Sequence, residues 1–272
     1  MTGDEPGTPV EIVAVGRELL AGHTTDTNSV WLAGELPALG GRLTRIVVVD
    51  DEPEAIAREI GRAVADGARL VITTGGLGPT FDDRTLAGVA AALDRPLAEH
   101  AGALEMVGRR YAELAATGAV ADATLTPARR KMARLPEGAE AVPNTAGTAP
   151  GVFVAGPPVT VLAVPGVPAE MRAVTEAARE RLVAVLGAPV FQAVRERRSG
   201  SGDESRLTAI AEAVMARHPG VHVKSLPTAF APDCDLVFRL VATGATPEQA
   251  ERRIADAQAT LDARLAAMQE GR

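Results

Sequence analysis

Two adjacent carboxylates, Asp82 and Asp83, close a segment that contains three glycines, Gly75, Gly76 and Gly78. Residues 70–83 read Leu-Val-Ile-Thr-Thr-Gly-Gly-Leu-Gly-Pro-Thr-Phe-Asp-Asp. Glycine lets the backbone approach a ligand and adopt positive φ. The N–H groups at a loop-to-helix junction attract anions. Two carboxylates beside such a cradle would repel a phosphate unless a divalent cation lay between them, because hard cations bind carboxylate and phosphate oxygens together. The residue types therefore point to a phosphate or pyrophosphate held with a metal. Capping of the following helix by Asp82 and Asp83 is an equally open alternative.

The elements that must position this segment follow from periodicity. Residues 70–73 are an apolar strand, and Leu86, Val89, Ala90 and Leu93 recur at helical spacing after the loop. Residues 10–15 form a first strand with one acidic interruption, and residues 43–49 a second, rich in β-branched residues. Between them, Thr25 or Asp26 starts a helix whose apolar face is Val30, Trp31 and Leu36. Pro53 opens another helix, with Ile56, Ile60 and Val64 on one face. This β-α-β-α-β-α order of short apolar strands predicts an α/β fold, a three-layer doubly wound and mostly parallel sheet. Ligands bind such sheets outside the carboxyl ends of the strands. Glu18, Asp51, Asp82 and Asp83 all fall just beyond such ends, which adds weight to the metal–phosphate reading.

Farther along, residues 97–116 read as one helix with Arg109, Arg110 and Tyr111 on a solvated face. Thr126 and Pro127 start a short helix carrying Arg129, Arg130 and Lys131, either a meeting point for a ligand phosphate or a solvated charged turn. Residues 152–155 and 160–164 are strands joined as a hairpin. Pro168 and Glu170 begin a helix that runs to about Leu186. The predicted domains are residues 9–187 and 190–272. The second is a smaller α+β unit in which residues 195–203 are a linker or exposed loop, 221–226 and 235–242 strands, 227–234 a loop, and 204–217 and the stretch to about Met268 helices.

Composition narrows the function. A formal charge of −7 argues against non-specific nucleic-acid binding. The single cysteine, Cys234, rules out an intrachain disulfide and a cysteine-built zinc site. The acidic N-terminus is no signal peptide, and no apolar run reaches membrane-spanning length, so a soluble, cytoplasmic protein is expected. The small domain has a KH-like outline but no G-x-x-G loop and no excess of positive charge. A structural or dimerisation role is expected of it rather than RNA binding.

Several segments together resemble the competence/damage-inducible protein A (CinA) family. They are Val-Gly-Arg-Glu-Leu-Leu-Ala-Gly at 15–22, Asp-Thr-Asn at 26–28, Asp51 after the second strand, the loop at 74–83, Asn-Thr-Ala-Gly-Thr-Ala-Pro-Gly at 144–151 and Pro-Gly-Val-Pro-Ala-Glu-Met at 165–171. The resemblance covers an N-terminal molybdopterin-binding-like domain and a small KH-like domain. It implies that the family's C-terminal nicotinamide-nucleotide amidase domain is lacking, so deamidation of nicotinamide mononucleotide is not expected. It further implies metal-dependent hydrolysis of a nucleotide pyrophosphate, ADP-ribose first and FAD second, with non-catalytic binding of molybdopterin or a nucleotide as the alternative. On that reading Gly75, Gly76, Gly78, Thr80, Asn28, Asn144 and Gly166 contact phosphate or nucleotide. Asp51, Asp82, Asp83 and Glu170 hold the metal (Mg²⁺, Mn²⁺ or Co²⁺, with potassium as a further cation), and Asp51, Asp83 and Glu18 act in catalysis. The implied partners are a small-molecule nucleotide or pterin and a second copy of the chain, a homo-oligomer with a dimer favoured, and no membrane.

Overall fold

A computed structural model of the chain describes residues 7–200, 204–227 and 236–270. They fall into two compact units, Thr8–Gly187 and one built from Ala188 onward.

In the first unit β1 (Thr8–Val15) leads through α1 (Arg17–Leu20) and α2 (Thr27–Glu35) to β2 (Gly41–Val49). Then come α3 (Pro53–Ala65), β3 (Leu70–Thr74), α4 (Thr85–Ala92), β4 (Leu97–Glu99), α5 (Ala101–Ala116), α6 (Pro127–Lys131), β5 (Arg134–Pro136) and β6 (Glu140–Val142). The hairpin β7 (Gly151–Val154) and β8 (Thr160–Val164) precedes α7 (Pro168–Ala177) and α8 (Arg179–Leu186). The main sheet has the order β2-β1-β3-β8-β7-β6. Pairs β1–β2, β1–β3 and β3–β8 are parallel, and β7 and β6 complete the sheet antiparallel.

Strand side chains alternate between two faces, and each face has its own core. Val13 and Val15 of β1, Val71 of β3 and Val161 of β8 pack with Ile56 and Ile60 of α3, Val89 of α4 and Val107 of α5. On the other face Val10, Ile12, Leu70, Ile72 and Leu162 pack with Leu32 of α2, Met171 and Val174 of α7 and Leu182 of α8. This is the three-layer, mostly parallel sheet that the strand pattern predicts. The acidic interruption of β1, Glu11, is 3% exposed and is paired with Arg62 of α3, which also binds Glu59 and Asp66.

Four local expectations change. The strand at the second position lies at a sheet edge, so β2 is half-exposed rather than covered on both faces. Val30 is 70% exposed, and it is Leu32 and Leu36 that face the core from α2. The helix expected from Leu97 begins only at Ala101, because residues 97–99 pair with β5 as a short antiparallel ribbon. Tyr111 is buried, with the Arg129 guanidinium 3.9 Å from its ring centroid, and does not belong to a solvated face.

In the second unit β9 (Phe191–Arg198), α9 (Glu204–Arg217), β10 (Val221–Pro227), β11 (Leu236–Gly244) and α10 (Pro247–Glu270) form a three-stranded antiparallel sheet of order β10-β11-β9 with two helices. Its core is Leu207, Val214, Val223, Phe238, Leu240, Ile254 and Leu261 with their neighbours. Residues 195–198 of the expected linker are thus part of an edge strand, Phe191–Arg198. Three of their four charges are spent on ion pairs: Arg195 with Glu251, Glu196 with Arg239, Arg197 with Asp262. Residues 201–203 of that expected linker and 228–234 of the expected loop, with Cys234, lie outside the described residues, as do residues 1–6. Among the described residues no helix is long and apolar enough to cross a membrane.

Candidate functional site

The carboxyl ends of β1, β3 and β8 open onto a cavity of 480 Å³. Its walls are the turn after β1, the N-terminus of α2, the glycine loop after β3 and the turn between β8 and α7. The loop is held at both ends. Gly75 N donates to the Val164 carbonyl at 3.0 Å, and Thr85 Oγ1 donates to the Gly75 carbonyl at 2.8 Å. Gly75 and Gly76 have φ of +102° and +66°. A Cβ at Gly75 would overlap the Val15 carbonyl oxygen, and one at Gly76 the Thr85 hydroxyl. Glycine is required twice over at these positions.

The consequence is a row of free donors. Among the described residues, the backbone N–H groups of Gly76, Leu77 and Gly78 donate to no protein acceptor. A concave run of such amides binds anions. The N-terminus of α7 also meets the cavity through Gly166, Val167 and Glu170, adding the positive end of a ten-residue helix dipole.

Asn28 ties the walls together. Its Nδ2 donates to Thr74 Oγ1 at 2.9 Å and to the Gly166 carbonyl at 2.8 Å, linking the ends of β3 and β8. Its Oδ1 is buried and, among the described residues, accepts no hydrogen bond. Asp26 caps α2 by accepting from Ser29 N at 2.9 Å. Asp51 Oδ2 accepts from the backbone N–H of Arg17 at 3.0 Å, while the Arg17 side chain grips Asp50.

The carboxylate pair does not cap α4. Asp83 accepts from Thr80 N at 2.9 Å and from Thr80 Oγ1 at 2.6 Å, and Asp82 also accepts from that hydroxyl. Arg84, not an aspartate, occupies the N-cap position. Lys131 of α6 donates to the Thr80 carbonyl and so bonds to the same turn. The Thr80 hydrogen bond, with Asp82's own backbone N–H and the Lys131 charge, holds the Asp82 carboxyl below the usual range. Burial pushes the Lys131 ammonium below the ordinary lysine value, opposed by Asp83 and Asp82. Of the three cations expected to meet a ligand phosphate or solvent, Arg129 is spent on the carbonyls of Asp122 and Thr124, Arg130 on Glu99 and Lys131 on Thr80.

The structure brings Glu18, Asn28, Asp51, Gly75, Gly76, Gly78, Thr80, Asp82, Asp83, Gly166 and Glu170 to this one cavity. Asn144 is placed elsewhere. Its amide donates to Ala149 O and Glu170 Oε2, and its oxygen accepts from the N–H groups of Ala146 and Gly147. All its capacity goes into its own loop and into Glu170. Among the described residues no three His, Cys, Asp or Glu side chains come close enough to cage a metal. The carboxylates instead ring the cavity singly and as the Asp82–Asp83 pair. That donor set fits a hard cation held by one or two carboxylates together with ligand phosphates, not an all-protein cage. The contributions of Thr74, Thr85 and Lys131 were not apparent from the chain. The threonines read as strand end and helix start, and Lys131 lies 51 residues from the carbonyl it meets.

The site and its sheet belong to a known class. A family model described as "Probable molybdopterin binding domain" matches residues 11–184. The crystal structure of CinA from Thermoplasma acidophilum, a protein described as of unknown function, is 34% identical with a TM-score of 0.58, covering 64% of this chain and 98% of that one. A protein from Aeropyrum pernix is 43% identical over 240 residues, 88% of this chain and 87% of its own length. A CinA-like protein of Synechococcus is 38% identical over 247 residues, 90% of this chain and 56% of that protein. The chain belongs to the probable molybdopterin binding domain family, as a CinA-like member.

Proposed function

We propose that the cavity binds a small phosphorylated ligand of the molybdopterin type, a pterin or nucleotide bearing a phosphate or pyrophosphate. One observation carries this reading: the three consecutive unpaired amides of Gly76, Leu77 and Gly78 in a glycine loop lining a 480 Å³ cavity. They would receive the phosphate, and the dipole of α7 would add to the attraction. The buried Oδ1 of Asn28 lacks a donor, and a ring N–H, amino group or hydroxyl of the ligand supplies one. The family description supports the pterin. Titrating the purified chain with molybdopterin, AMP and ADP-ribose, with and without Mg²⁺, tests it. Micromolar binding of a phosphorylated ligand, lost when its phosphate is removed, is expected, and equal binding of the dephosphorylated compound would refute it.

A second reading, hydrolysis of a nucleotide pyrophosphate such as ADP-ribose or FAD, is favoured by the carboxylates at the cavity. Asp82, Asp83 and Asp51 would hold a divalent cation beside the ligand phosphates, and Glu170 borders them. When bound, such an ion would neutralise phosphate charge. The loop amides would stabilise charge growing on the phosphoryl oxygens. Asp51, with one oxygen already anchored by Arg17 N, would orient a water through the other. Product release from ADP-ribose or FAD with Mg²⁺, Mn²⁺ or Co²⁺ is the required result, and binding without turnover under all three metals leaves the first reading alone.

A further inference from the structure

Behind the loop Asn144–Pro150 lies a second cavity of 250 Å³, lined by α5 and by the loop. Thr148 borders both cavities, so the loop is a shared wall. From α5 come Arg109, Arg110 and Glu113. Glu113 accepts from Arg110 Nη1 at 2.9 Å, which offsets its charge. The Arg110 Nε is buried and, among the described residues, has no acceptor. Arg109 is exposed and, among the described residues, makes no ion pair or hydrogen bond. The cavity wall therefore carries Arg109 as a surplus cation beside Arg110, in a chain whose net charge is −7. Thr145 from the loop adds a hydroxyl that, among the described residues, makes no hydrogen bond. The loop amides of Ala146 and Gly147 are spent on Asn144 and do not compete.

We propose that this second cavity is a binding site for a phosphate-type oxyanion, held by Arg109, Arg110 and the Thr145 hydroxyl. Guanidinium groups match the planar oxygen pairs of such anions. The volume suits a single phosphate or carboxylate group better than a whole nucleotide. The wall gives the site a route to the first cavity. Asn144, which shapes the loop, also donates to Glu170 Oε2 at 2.7 Å, and Glu170 lines the first cavity. An anion that draws Thr145 toward the arginines acts on the segment that fixes the Glu170 carboxylate. The inference does not rest on the identity of the ligand in the first cavity.

The test is a titration of the full chain with inorganic phosphate, at constant ionic strength set by chloride, followed through backbone amide NMR shifts. Thr145 and Gly147 report the second cavity, and Gly76 and Gly78 report the first. The expected result is saturable movement of Thr145 and Gly147. In an Arg109→Gln/Arg110→Gln variant it should weaken by about tenfold or more, the order expected for losing a charge-assisted hydrogen bond. The Gly76 and Gly78 response should stay unchanged, and Arg109→Lys should retain part of the binding. The proposal is overturned if Thr145 and Gly147 do not move up to about 10 mM phosphate, the weak end of specific binding. It is equally overturned if the double variant responds like the parent. Failure at Gly76 and Gly78 alone would count against the first cavity and not this one.

Discussion

At the scale of single residues, the site depends on glycines that cannot be replaced and on polar groups bonded to the loop from a distance. Gly76 is in the left-handed region and its missing Cβ leaves room for the Thr85 hydroxyl. Gly76→Ala should cost about 2–3 kcal/mol in urea unfolding, combining left-handed strain with overpacking. The same change should abolish ligand binding, because it moves the free amides. Lys131 makes a pH-dependent prediction. Its folded-state pKa is lowered by burial, so the folded chain releases that proton at lower pH than the unfolded chain. Stability relative to a Lys131→Met variant should therefore rise as pH increases toward the ordinary lysine value. Thermal melts of both proteins across the alkaline range measure it, and a difference independent of pH would contradict it. Asp82 and Asp83 show how far the sequence could be read. Their placement beside the glycine loop is visible from spacing, but not the partners that bind them. Lys131, whose charge helps lower the Asp82 carboxyl, reaches the same turn from a helix that nothing in the local sequence connects to the loop.

At the scale of elements, apolar pattern located the buried strands and chemistry hid the edges. β1, β3 and β8 are almost wholly buried, and hydrophobic runs announce them. β9 carries Arg195, Glu196, Arg197 and Arg198 and looks like a loop, yet an edge strand with one solvated face tolerates charge. β4 is three residues long and exists only through its pairing with β5, a non-local contact that periodicity does not record. The Glu11–Arg62 pair is another such contact, joining β1 to α3. Removing the arginine leaves a buried carboxylate without its cation. Arg62→Ala should therefore destabilise the first unit by about 3 kcal/mol. Glu11→Gln in the same background should recover part of that loss, since it removes the stranded charge. Chemical unfolding of the two variants decides, and a neutral Arg62→Ala would contradict the predicted cost of the stranded Glu11 carboxylate.

At the scale of the molecule, the two compact units have separate cores, two on the faces of the six-stranded sheet and one in the smaller antiparallel unit. The first unit carries every residue of both cavities. A fragment spanning Thr8–Gly187 should fold alone, with dispersed amide NMR signals and cooperative unfolding, and it should keep phosphate binding at Gly76 and Gly78. An unfolded fragment would show that the second unit is needed for the first. The order of strands and helices, and the gathering of Glu18, Asp51, Asp82 and Asp83 at strand ends, were legible because a parallel sheet sends its carboxyl ends to one side. Asn144 was not, because a loop asparagine beside glycines looks the same whether it touches a ligand or braces its own turn.

The central claim is that the unpaired amides of the glycine loop receive the phosphate of a pterin or nucleotide. Hydrogen–deuterium exchange with and without saturating molybdopterin reads those amides directly. The account predicts slower exchange in peptides covering residues 74–83 and 165–170, with the smaller unit unchanged. Unaltered exchange at residues 74–83 in the presence of bound ligand would contradict it.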